Sequence, residues 1–228
     1  MIENKKKFYA GLGLLIAFLI VLVILFMPIF SGINALANLD MLYNSISKGS
    51  AYYIPKAKKE AKPLHGTQIS VNLNLDNDKQ AQQSASLFEK GGARVEVSGA
   101  NLKVSGDLGQ ILENSLKDAD YMYHNDGKRV SDKYGIPEKE ALHNWWKALK
   151  ALDLALKKQK KFAAATVVDL IQKKAVETAY NYYGIEPQKI TSRLGVVIFS
   201  LIFYVVYTLW YGFAIMYMFE GWGLRLEH

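Results

Sequence analysis

No cysteine occurs anywhere in the 228-residue chain. That absence excludes disulfides, thiolate metal sites, cysteine nucleophiles and covalent attachment of a c-type haem. It says nothing of the redox compartment, because a chain without thiols is tolerated anywhere. Histidine is nearly as scarce: His65, His124 and His143 fall in separate segments, and His228 ends the chain. The nearest approach to a ligand pair is Asp120 with His124, at i and i+4, close to Asp118. A polar face at a helix C-terminus accounts for His124 equally well. Also missing are a glycine fingerprint for nucleotides, EF-hand register among Asp118, Asp120, Asp126 and Asp132, and a serine in a nucleophile elbow. The expectation is a protein that is not an enzyme, with no catalytic, cofactor-binding or metal-binding residues and no cofactor.

Charge of one sign is also less concentrated than the net value of +7 suggests. Between residues 31 and 192 there are 23 Lys/Arg against 18 Asp/Glu. They are dispersed, apart from the runs Lys56–Lys62 and Lys157–Lys161. Basic residues near a bilayer are accounted for by anionic headgroups, so membrane lipid is an expected partner and nucleic acid is not.

What is abundant is apolar sequence, and it sits at the two ends. The mean hydropathy near zero hides this. Residues 8–30 contain no charge and no Asn, Gln, Ser or Thr; as a helix they would extend ~34 Å, enough to cross a ~30 Å hydrocarbon core. Ala35-Leu36-Ala37 offers a small-x-small cleavage pattern, but the run is longer than the h-region of a signal peptide. The expectation is an uncleaved anchor. Residues 194–219 form a second uncharged run. It carries Tyr204, Tyr207, Thr208 and Tyr211 at helical spacing, a candidate intramembrane contact face. A tyrosine hydroxyl at that depth needs a partner. A polar seam towards another helix, a lipid headgroup, a quinone-like ligand or a pore would supply one; so would ordinary packing against the first span or a second subunit.

Lys5, Lys6 and Lys7 precede the first run, and no Lys or Arg follows until Lys48. By the positive-inside rule these lysines set the topology. The expected protein is an integral one, of the cytoplasmic or inner membrane of a prokaryote. Residues 1–7 and a tail of residues 220–225 would be cytoplasmic, and the middle extracytoplasmic. Residues 226–228 look like the remnant of a tag.

Roughly 160 residues separate the runs, enough for one domain with a core. Residues 31–66 read as an amphipathic continuation of the first span, bent at Pro28 and Gly32, then a lysine-rich linker from Lys48 to Pro63. Residues 67–126 read as a β-α-β-β-α unit. A strand alternates through Ile69, Val71, Leu73 and Leu75, and Asp76 caps a helix that Gly91-Gly92 stop. A hairpin turns at Ser98–Asn101, and a helix opens at Asp107. Residues 127–192 contain a narrow seam of coiled-coil type. It runs through Trp145, Leu149, Leu152 and Leu156, then Ala164, Val168, Ile171, Ala175, Thr178 and Tyr182. One long helix or a helical hairpin fits it. The fold class is thus an α+β membrane protein, with two transmembrane helices flanking an extracytoplasmic domain. Since Trp145 belongs to the seam, its neighbour Trp146 points elsewhere and is a candidate interface residue.

The β-α-β-β-α order is similar to small ring-building modules of secretion-system and secretin-type proteins, most closely over Ala93–Ser105. That resemblance covers at most a quarter of the chain and implies a homo-oligomer. The function expected is that of a structural or interaction protein, an oligomeric or accessory subunit of a membrane complex. The alternatives are a subunit of an oligomeric channel or transporter using the tyrosine face, and a lipid- or small-molecule-binding domain.

Overall fold

A computed structural model describes residues 2–29 and 31–224. In chain order its elements are α1 (Lys5–Phe26), α2 (Ala35–Ser50), α3 (Ile54–Ala61), β1 (Gln68–Asn74), α4 (Asp78–Lys90), β2 (Arg94–Ser98) and β3 (Asn101–Asp107). There follow α5 (Leu108–Tyr123), α6 (Gly127–Tyr134), α7 (Glu138–Lys158), α8 (Phe162–Ile171), a π-helical turn (Gln172–Glu177), α9 (Thr178–Tyr182) and α10 (Leu194–Gly221). The protein is thus mixed helix and sheet. It divides into two compact units, Met1–Gly49 with Pro187–His228, and Ser50–Glu186.

In the first unit, α1 and α10 are each long and apolar enough to cross a membrane. The expected 8–30 span is helical only to Phe26, while Phe30 lies outside the described residues. Pro28 disfavours the helical conformation at the residue before it, and Met27 is extended. Ser31 and Gly32 then take left-handed backbone angles, φ 51° and 86°. The chain is therefore interrupted, not bent, before α2, whose first turn is capped by Asn34 accepting from the Ala37 amide at 2.7 Å. At the other end α10 includes Glu220 and Gly221, which were expected in a tail. Arg225 of that tail and residues 226–228 lie outside the described residues.

In the second unit the sheet order is β1-β3-β2, with both pairs antiparallel. β3 is inserted between β1 and β2, which α4 connects, so the unit is a split β-α-β. Register places Ile69, Val71 and Leu73 opposite Gly106, Val104 and Leu102, and Val95 and Val97 opposite Val104 and Leu102. One face is consequently apolar and covered by helices except at the β2 edge, where Val97 is exposed. The other carries Ser70, Asn72, Lys103, Ser105, Arg94 and Glu96. The β2–β3 turn is the two-residue Gly99-Ala100, with Gly99 at φ 56°, as such tight hairpins require.

Several local expectations are corrected. Asn77, not Asp76, caps α4, accepting from the Gln80 amide at 2.9 Å. Lys48–Pro63 is mainly helical, since α2 continues to Ser50 and α3 follows. Pro55 occupies the first turn of α3, where its missing N–H costs nothing, and Ile54, Ala57 and Ala61 are buried. A separate short helix, α6, precedes the seam within residues 127–192. The long seam resolves into a helical hairpin, α7 and α8, turning at residues 159–161. Trp145, Leu149, Leu152, Leu156, Ala164, Val168, Ile171 and Ala175 all enter the core, Tyr182 packs half-buried against it, and Ala179 is buried in place of Thr178. The π turn lengthens one turn of the helix and shifts the phase of its buried face.

Helices α5, α6 and α7 converge on one fully buried carboxylate. Asp118 accepts from Lys133 Nζ at 2.7 Å, Tyr134 Oη at 2.5 Å and Trp145 Nε1 at 2.9 Å. Burial, then the Asp118 charge, pushes the Tyr134 phenol far above its ordinary range, so it remains a donor. Phe88 meets the Trp145 ring edge-on at 5.6 Å. Replacing Asp118 by Ala leaves the buried Trp145 Nε1 without its acceptor and removes the one shared by half-buried Lys133 and Tyr134, and is expected to cost about 3–5 kcal/mol. Asp118→Asn retains one acceptor and is expected to cost about 1–3 kcal/mol. Thermal unfolding of the two variants checks that order.

Candidate functional site

The candidate tyrosine face belongs to the contact between α1 and α10, which run antiparallel. At one end the Asn4 amide donates to Gly221 O at 3.0 Å, and Lys7 Nζ pairs with Glu220 Oε2 at 2.7 Å. A Cβ on Gly221 would lie 2.5 Å from Phe8 N, and one on Gly11 would lie 2.7 Å from Met218 N. Only glycine lets the two backbones approach so closely. Further along, Trp210 Nε1 donates to Leu14 O at 3.1 Å and Tyr207 Oη to Phe18 O at 3.4 Å. The Tyr207 ring stacks on Phe18 at 4.2 Å. A carbonyl has two lone pairs, so Leu14 and Phe18 accept these bonds without giving up their helical ones. Near the start of α10, Ser200 Oγ lies 2.6 Å from Tyr43 Oη of α2.

The four predicted residues therefore divide. Tyr207 faces α1, and Tyr211 touches Phe18 at 5.2 Å with 48% of its surface exposed. Tyr204 is 68% exposed, and Thr208 donates to its own helix at Tyr204 O. Trp210, Gly11, Gly221 and the Ser200–Tyr43 bond were missed. One signal was available: Ser200, Tyr207, Ala214 and Gly221 recur every seven residues, the spacing of a packed helix seam. Of the predicted topology residues, Lys7 makes the ion pair with Glu220, while Lys5 and Lys6 are exposed in the first turn of α1.

In the second unit the candidate interface residue Trp146 is half-buried. Its indole donates to Glu177 Oε2 at 2.9 Å, the His143 ring lies parallel at 6.4 Å, and Lys150 Nζ sits 5.2 Å from the ring centre. It is packed against the core of its own unit.

A cleft of about 590 Å³ opens between α3 and α5, lined among others by Lys58, Lys62, His65, Glu113, Lys117 and Asp120. Asp120 accepts from Tyr52 Oη and Lys58 Nζ, both at 2.7 Å, and His124 Nδ1 lies 3.3 Å away. Burial raises the Asp120 carboxyl, but the bonds from Lys58 and Tyr52 outweigh it and leave its pKa lowered. The Tyr52 phenol is pushed up to about 12 by burial and by Asp120. Asp118 and Asp120 thus diverge, one into the core and one to this rim. Among the described residues no three His, Cys, Asp or Glu side chains gather closely enough to hold a metal. What the cleft can offer is charge pairing on an open surface.

No protein-family model matches the chain, and no curated protein or solved structure is significantly similar to it. The resemblance to ring-building modules therefore gains no support from structural comparison.

Two outcomes are expected. A lowered carboxyl pKa contributes stability that is present above the unfolded value and lost as pH falls through the folded one. The thermal midpoint of the wild type should thus exceed that of Asp120→Asn near neutrality, and the gap should close below about pH 4. Gly11→Val should force α1 from α10. Because the chain lacks cysteine, paired Lys7→Cys and Glu220→Cys substitutions with a short bifunctional maleimide read that separation as lost cross-linking.

Proposed function

We propose that the chain is an integral membrane protein spanning the bilayer twice, through α1 and α10. The Ser50–Glu186 unit would serve outside the cytoplasm as a structural or interaction module of a membrane complex, without enzymatic activity. The observation that carries this reading is the uncovered apolar surface of the two helices. In α1 only Gly11 is buried, and Ile16, Leu19, Ile20, Val23 and Ile24 are exposed. In α10 Phe199, Leu201, Ile202, Val205, Val206, Leu209 and Phe213 are likewise exposed. Soluble monomers rarely expose apolar patches above a few hundred Å², whereas acyl chains solvate such a surface at no cost. The helices are ~33 Å and ~42 Å long, sufficient for a ~30 Å core. Backbone satisfaction within each helix is the other requirement of the bilayer, and the bonds of Trp210 and Tyr207 extend it to side chains.

The lysines at residues 5–7 support cytoplasmic termini. Pairing of Lys7 with Glu220 supports both ends lying on one side, as two spans require. A homo-oligomeric channel is a second reading, favoured by Tyr204 and Thr208 turning outward from α1 and by the half-exposed Tyr211 beside them. Two helices enclose no pore, so several copies would be needed.

Single cysteines provide the test. In intact cells a membrane-impermeant maleimide is expected to label Ser98→Cys on the β-hairpin and to leave Asn4→Cys and Gly223→Cys unlabelled until lysis. The opposite pattern would invert the topology. Labelling of all three, with the chain extracted by alkaline carbonate, would remove the membrane assignment. Ion flux in proteoliposomes that falls on replacing Tyr204 and Tyr211 would select the channel.

A further inference from the structure

The turn between α7 and α8 carries one of the second unit's two lysine runs, the other being Lys56–Lys62. Lys157, Lys158, Lys160 and Lys161 all project from it and are exposed. Lys157 is neutralised by Asp153 at 2.7 Å. Among the described residues Lys158, Lys160 and Lys161 form no ion pair, and the next acid along α8, Asp169, is held by Lys173.

The turn is also built rigidly. The Gln159, Lys160 and Lys161 amides donate to Ala155, Lys157 and Leu156 carbonyls at 2.9–3.1 Å, Lys160 takes φ 59°, and Gln159 Nε2 anchors the turn to Ser70 O of β1 at 2.8 Å. Lys160 is neither Gly nor Asn, the residues that adopt this conformation most readily. Directly after the lysines Phe162 is 61% exposed, and Leu154, one turn before Lys158 on the same helix face, is 52% exposed. An acidic polypeptide would match the lysines alone. A surface of anionic headgroups over acyl chains matches the lysines and the two apolar side chains together.

We propose that this turn is a peripheral lipid-docking tip. Lys158, Lys160 and Lys161 hold the phosphates of an anionic lipid surface, and Phe162 and Leu154 enter its headgroup–acyl boundary. The inference rests on the membrane reading, which supplies the bilayer; the surface engaged is that of the same membrane or of an apposed one.

The test uses the full chain in nanodiscs of phosphatidylcholine, with or without phosphatidylglycerol. An environment-sensitive dye is placed at exposed Ala163→Cys, the chain's single thiol. Its emission is expected to shift to the blue with phosphatidylglycerol, in the disc itself or on added vesicles of the same composition, and a lipid-borne nitroxide should quench it. Raising salt from about 0.01 M to about 1 M should abolish the shift. The triple variant Lys158→Glu, Lys160→Glu, Lys161→Glu should weaken vesicle capture at least about tenfold, and Phe162→Ser should remove the blue shift. A dye that ignores lipid charge in a properly inserted chain would overturn the inference alone. So would polyglutamate binding the tip while vesicles do not. A chain that fails to enter discs at all would sink the membrane reading and this inference with it.

Discussion

Everything in the first unit depends on how closely α1 and α10 can approach. Gly11 and Gly221 remove the side chains that would hold the backbones apart. That approach brings Trp210 and Tyr207 within reach of carbonyls on the facing helix, and it brings Lys7 to Glu220. In hydrocarbon there is little hydrophobic gain from pairing two apolar helices, so close packing and interhelical hydrogen bonds must hold them. Both are present here. The remaining surface of each helix is left to the surroundings, and its composition suits lipid.

The second unit follows a different rule, that of burial in water. Its sheet is apolar on one face and polar on the other, and its helices cover the apolar face except at the β2 edge. The charged group it buries most deeply, Asp118, is satisfied by donors from two other helices. Such a fully buried group is better suited to fixing the arrangement of α5, α6 and α7 than to chemistry. The polar cleft at Lys58 and Asp120 offers paired charges on an open surface.

Period and turn chemistry made much of this legible. Alternation at Ile69, Val71 and Leu73 marked the strand, Gly99 the hairpin, and Asp107 the start of α5, where it accepts from the Gln110 amide. Trp145, Leu149, Leu152 and Leu156 marked the buried face of α7. The failures have physical causes. Lysine density and Pro55 suggested a linker, but only Ile54, Ala57 and Ala61 had to be buried for α3 to form. Thr178 fell out of phase because the π turn adds a residue to one turn of the helix, and Ala179 took its place. Tyr207 was identified as needing a partner, whereas Trp210 was overlooked, because the tyrosines were read as a face and the seven-residue recurrence from Ser200 to Gly221 was not.

The central claim is that α1 and α10 are solvated by lipid and the second unit by water. Hydrogen–deuterium exchange of the full chain in nanodiscs tests it most directly. Amides of residues 9–26 and 198–219 should remain unexchanged long after the exposed β2 edge has exchanged fully. Exchange of those two helices at rates matching exposed helices of the second unit, with the chain monomeric in detergent-free buffer, would contradict the account.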